Sequence, residues 1–297
     1  MKVLAQGNSY LVQATAAGGK IRGVAAVTTE IVEEIRRIHD TFPTATAALG
    51  RTISGTVLLS ASLKGNEKVT VRVIGDGPIG GIIADVDSEG AVRGYVQNPH
   101  LDLPLNEKGK LAVGEAVGKN GYLYVTKDLG LKEPYNSSCQ LVSGEIGDDF
   151  AAYLYYSEQI PSAVGVGVLV NPDFSVQAAG GYLIQLLPET DKNLMEEMDA
   201  RITNLDSVTK MLSEGASGEE ILSRIFAGYD PVFYDRKPLA FKCRCSRERL
   251  EQILITLGEK EIKDMIEEQN GAELKCHFCN RVYTFSKEDL TKLLEQM

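Results

Sequence analysis

The chain has 297 residues, 43% of them apolar, which is enough for about two domains with ordinary globular packing. Its formal net charge of −10 weighs against a nucleic-acid partner, because phosphate binding rests largely on lysine and arginine. No stretch approaches the roughly 18–20 apolar residues that span a bilayer, and the apolar run Val3-Leu4-Ala5 stops at Gln6, so the sequence predicts no secretory signal and a soluble, cytoplasmic protein.

The spacing predicts an α+β fold: a mixed α/β N-terminal core domain over 1–186, a helical linker over 187–231 and a small C-terminal domain over 232–297 that contains four of the five cysteines. In the first part Ser9–Ala17, Lys20–Val27, Lys68–Ile74 and Ile79–Asp87 read as strands between glycine-rich turns. Thr28–His39 reads as a helix. Pro43 opens another, running through Leu49, Ile53, Val57 and Leu63, whose small apolar surface on nearly every side predicts burial. Gly75–Gly81 resembles a phosphate-cradling loop but lacks the Lys-Ser/Thr that completes one, so a hairpin turn is expected. Asp148 is the expected N-cap of a helix over Asp149–Glu158, followed by paired strands Pro161–Val170 and Phe174–Leu186.

Composition shifts after Pro188: ten acidic and four basic residues lie between Glu189 and Asp230. Leu194, Met198, Ile202, Leu205, Val208 and Met211 recur at helical spacing, predicting one amphipathic helix over Lys192–Ser213. Ser217 and Glu220 form a capping box for a shorter helix through Phe226. The Met-bearing stripe reads either as ordinary core packing or as a detachable cover over apolar surface of the first domain, a role that suits methionine's adaptability.

Cys243-Arg244-Cys245 and Cys276-His277-Phe278-Cys279 are the sharpest signal, since Cys139 alone stands outside them and reads as a buried free thiol. Two close thiol pairs supply the ligands of a tetrahedral all-cysteine zinc site, with Lys242, Arg244, Lys275 and Arg281 nearby to offset the thiolate charge. Four thiolates fill the tetrahedron, which makes His277 a bystander and leaves no position for a catalytic water. His39 and His100 show no triad pattern, so the chain is not expected to be an enzyme. Metal-bound sulfur is held as thiolate, the form that peroxide attacks, and a C-x-C pair closes only a tight, readily reduced disulfide. Oxidation would form local disulfides and expel the metal, unfolding a unit of sixty-odd residues that the metal staples together.

These residues resemble the heat-shock protein 33 family of redox-regulated chaperones over nearly the whole chain. The matching stretches include Ala48–Arg51, Gly75–Pro78, Arg93–Pro99, Ser157–Val164 and Gly181–Pro188, together with Phe241–Ser246 around the first thiol pair. The resemblance implies that Cys243, Cys245, Cys276 and Cys279 bind Zn²⁺ in an inactive reduced state. It further implies that oxidants form Cys243–Cys245 and Cys276–Cys279 disulfides with zinc release and linker unfolding. The active form would then be an ATP-independent holdase for unfolding client proteins, homodimeric when oxidised, with no nucleic-acid or membrane partner. Two rivals remain: a zinc-containing thiol-disulfide oxidoreductase, suggested by the C-x-x-C, and a zinc-ribbon binding module.

Overall fold

The computed structural model describes residues 8–187, 190, 192–295 and 297. The Val3-Leu4-Ala5 run, Pro188 at the composition shift and Gln296 at the end of the last expected helix lie outside the described residues. The chain divides into two compact units, Met1–Lys242 and Cys243–Met297.

In the first unit β1 (Tyr10–Ala16) and β2 (Ile21–Val27) form a hairpin in the register Tyr10↔Val27 through Ala16↔Ile21. After α1 (Thr29–His39), α2 (Pro43–Leu59) starts with Pro43 in its first turn, and fifteen of its seventeen residues are buried, so it forms the centre of the unit. Its polar residues are tolerated there because the hydroxyls of Thr52, Ser54 and Thr56 donate to the carbonyls of Ala48, Gly50 and Thr52 one turn back. The chain continues through β3 (Lys68–Ile74), β4 (Gly81–Asp87), β5 (Ala91–Val96), α3 (Val113–Val117), β6 (Tyr122–Asp128), β7 (Tyr135–Gln140) and α4 (Gly147–Tyr156). Next come β8 (Ser162–Val170), β9 (Val176–Leu186), α5 (Lys192–Thr203), α6 (Val208–Ser213) and α7 (Gly218–Ile225). Short strands β10 (Val232–Phe233), β11 (Lys237–Pro238) and β12 (Ala240–Phe241) complete the unit.

Two sheets flank α2. One has the order β10-β1-β2-β9-β8, with β11 also on β1; the other has the order β12-β5-β4-β3-β6-β7. The period-2 alternation of β1 and β2 sends Leu11, Val24 and Ala26 into the core around α2. The alternate residues Val12, Ala14, Ile21 and Ala25 point to the opposite face, where they form a second core with Leu194, Met198, Met211 and Leu222 of α5–α7 and with Phe226, the C-cap of α7. Gly23 makes this approach possible: a Cβ there would lie 2.5 Å from the Phe226 ring.

Three local expectations change. Residues 75–80 form the loop of the β3–β4 hairpin, and β4 starts at Gly81 rather than Ile79. The single helix expected over Lys192–Ser213 is two helices, because Ser207 caps α6 by accepting from Lys210 N–H and the intervening Asn204-Leu205-Asp206 carries competing polar side chains. Asp148 is not the cap of α4, which starts at Gly147. The neighbouring Asp149 does that work: its carboxylate accepts from the N–H groups of Val142, Ser143, Gly144 and Ile146, fixing the loop before the helix.

The second unit contains α8 (Arg247–Leu257), α9 (Glu259–Gln269), the hairpin β13 (Gly271–Lys275) and β14 (Val282–Ser286), and α10 (Lys287–Leu294). Its buried core is Leu254, Ile262, Phe285, Leu290 and Leu293. The expected Ser286/Asp289 capping box opens α10.

Candidate metal centre

The four thiols converge from two chain segments of the second unit. Cys243 and Cys245 lie on the extended segment before α8, whose N-cap Ser246 accepts from Arg249 N–H. Cys276 and Cys279 lie in the loop of the β13–β14 hairpin, where Asn280 N–H donates to Cys276 O and Cys276 N–H donates to Arg281 O, with Asn280 in the left-handed region. Arg247 ties the segments together. Its guanidinium donates to Thr284 O and to the Asp289 carboxylate and lies 4.5 Å from the centre of the Phe285 ring.

All four sulfurs lie within 4.8 Å of one another, with Cys243–Cys276 at 3.6 Å and Cys245–Cys279 at 3.4 Å. Four ligands at a Zn–S distance of about 2.3 Å in a tetrahedron require S–S separations of about 3.8 Å, so the donor set fits a zinc-sized ion. His277, in the same loop, is outside the cluster.

Without a cation the thiols compete for protons. Burial pushes Cys245 up, but hydrogen bonds from Tyr283 Oη, at 3.2 Å, and from the other thiols outweigh it and bring Cys245 to about 7. Cys279 is pushed up to about 12, first by burial and then by its hydrogen bonds to the other thiols. Four adjacent sulfurs thus share protons instead of ionising together, and a dication is what permits four thiolates. The flanking Arg281 answers to the site: hydrogen bonding to Tyr283, then the nearby Tyr283, Cys245 and Cys279 charges, raises its pKa.

The remaining residues singled out in the sequence lie apart from this chemistry. Cys139 is buried on β7, where burial raises its pKa. His39 is buried at the end of α1, and His100 Nε2 lies 3.5 Å from the Asp40 carboxylate on the surface. Sequence reasoning missed Tyr283, whose only signal was its place on the strand returning from the second thiol pair.

Residues 9–286 match the family described as Hsp33 protein. The chain belongs to the Hsp33 family. A 33 kDa chaperonin of Bacillus pumilus is 50% identical over 288 residues, covering 97% of this chain and 99% of the relative. The 33 kDa chaperonin of Bacillus subtilis strain 168 is 50% identical over 287 residues, covering 97% and 98%. The crystal structure of the Thermotoga maritima 33 kDa chaperonin, a heat shock protein 33 homolog, is similar with a TM-score of 0.90 and 39% identity, over 97% of this chain and 98% of that one. Hsp33 membership makes the protein a chaperone, and the fold and the cysteine cluster agree with it.

Proposed function

We propose that this chaperone is an ATP-independent holdase switched on by oxidation of Cys243, Cys245, Cys276 and Cys279, which hold Zn²⁺ in the inactive form. The observation that carries the reading is the convergence of four thiols in a unit that, among the described residues, fully buries five apolar side chains. When bound, zinc supplies positive charge that keeps all four sulfurs deprotonated and cross-links the two segments. Two equivalents of hydrogen peroxide then remove four electrons from the four thiolates, taking up four protons and giving two disulfides and four waters. Paired sulfurs no longer ligate the dication, and a metal contribution of about 10 kcal/mol to folding is lost with it.

The local pairs Cys243–Cys245 and Cys276–Cys279 follow the family resemblance; the sulfur distances of 3.6 and 3.4 Å run across the two segments, so peptide mapping of the oxidised chain is the deciding measurement. The client surface would be the apolar face of β1, β2 and β9 that α5–α7 cover, with unfolding client proteins as partners, a homodimer as the oxidised form and the cytoplasm as the compartment. The segment's excess of acidic residues would keep the released form soluble. An oxidoreductase role is disfavoured because Cys276 and Cys279 sit in a strand–strand loop rather than at the start of a helix.

The experiment compares peroxide-treated and reduced zinc-loaded protein for suppression of aggregation of a heat-unfolded client. Suppression by the oxidised form alone is expected, with loss of four thiols and one zinc per chain. Equal suppression by both forms refutes the switch.

A further inference from the structure

The Ser157–Val164 stretch carries part of the family resemblance, yet the redox reading uses none of it. Glu158 and Ile160 from that stretch line a cavity of about 90 Å³ in the first unit, between the ends of α2 and α4 and strands β2, β6 and β9. Its walls are apolar where Leu58, Leu154, Ile160 and Leu183 meet, while Arg22, Lys127 and Glu158 bring charge to it.

Those charges are unequally matched. Glu158 has a partner on both oxygens and a cation on one: Oε1 accepts from Tyr153 Oη, and Oε2 lies 2.8 Å from Lys127 Nζ. Arg22 is different. Its Nη2 donates to the neutral Gln13 Oε1 at 2.8 Å, and among the described residues no carboxylate oxygen lies within 4.0 Å of the guanidinium. Burial lowers the Arg22 pKa, as expected of a partly desolvated cation without a counter-ion. A guanidinium offers the paired N–H groups that a carboxylate matches. The volume limits the enclosed tail: at about 90 Å³ the cavity is smaller than the roughly 150 Å³ that admits the six carbons of benzene, which leaves room for about three or four carbons, with the charged end at Arg22.

We propose that this cavity binds a short-chain aliphatic carboxylate, with its charged end on Arg22 and its tail of a few carbons against Leu58, Leu154, Ile160 and Leu183. The site lies wholly within the first unit, and its ligation does not depend on the state of the cysteines.

Calorimetric titration of the intact zinc-loaded protein with isobutyrate tests it, with isobutyramide as an uncharged ligand of the same shape and isobutylamine as an oppositely charged ligand with the same branched tail. Isobutyrate is expected to bind saturably in the millimolar range, and the amide and amine at least about tenfold more weakly, the scale of one charge-assisted pair. Arg22→Gln is expected to lose about tenfold or more. Ser62→Phe, at an exposed position on the rim, is expected to block entry while leaving Arg22 in place and zinc content unchanged. Absence of saturable isobutyrate binding, equal binding of isobutyramide, or full affinity in Ser62→Phe would overturn the proposal. Should Arg22→Gln fail to fold, the ligand series and Ser62→Phe still decide it.

Discussion

Tyr283 is where the candidate site reaches beyond its ligands, since its Oη lies 3.2 Å from Cys245 Sγ while Arg281 supports both groups. Outer partners of a ligand generally tune metal affinity by about 10–100-fold. Tyr283→Phe is therefore expected to release zinc to a competing chelator at a concentration about tenfold lower, with the aggregation assay of the oxidised form unchanged. Cys243→Ser or Cys276→Ser removes a ligand outright and is expected to abolish stoichiometric zinc; unchanged zinc in both would refute the ligand assignment. Away from the cluster, Glu33 gives a pH signature. Burial alone would raise its carboxyl, but Arg36, Arg37 and the Val176 N–H override this and hold it at about 2, against an ordinary value of 4.5. A depressed folded-state value stabilises the fold above pH 4.5 and loses that contribution as pH falls from about 4.5 toward 2. Acid-unfolding curves of Glu33→Gln should accordingly be flatter over that window than those of the wild type, and identical slopes would count against the assignment.

At the scale of elements, the cover formed by α5–α7 is held by packing and by a polar latch. Tyr10 Oη accepts from the Gly218 N–H and donates to Glu219, while the Arg236 guanidinium pairs with Glu219 and lies 4.0 Å from the centre of the Tyr10 ring. Tyr10→Phe keeps the ring but leaves the buried Gly218 N–H without its acceptor, at a cost of about 1–3 kcal/mol. Hydrogen exchange in α7 is expected to quicken in the reduced zinc form, and aggregation suppression to appear before oxidation. If exchange quickens while suppression stays absent, the cover does not mask the client surface. The sequence revealed the helical spacing of this segment and the Ser217/Glu220 box. It did not reveal the break before Ser207, because a hydrophobic stripe at helical period continues across a short capped interruption. Nor did it reveal Asp149 over Asp148, since adjacent carboxylates offer the same chemistry and only the folded loop selects one.

At the scale of the molecule, the two units rest on unequal foundations. The first has a core built on both faces of one sheet, while the second, among the described residues, fully buries five apolar side chains around its hairpin and three helices. Small units of this kind generally need a staple. Zinc removal by a chelator under reducing conditions is expected to abolish exchange protection in residues 247–294, while α2 and strands β2–β4 retain theirs. Equal protection in zinc-loaded and zinc-free protein would show that the metal is not the staple.

The sequence by itself determined the α+β class and the central apolar helix and pointed to the four thiols that the fold gathers into one cluster, because each is written in local spacing: a period of two or 3.6, or two close cysteine pairs. Only the tertiary structure decided which face of the β1–β2–β9 sheet α5–α7 cover, that Gly23 leaves room for Phe226, that Tyr10 latches Glu219 and that Tyr283 meets Cys245. Those pairs are separated by 38 to 209 residues, and the physical reason is common to them: the partners are chosen by where whole elements pack, which no local period encodes.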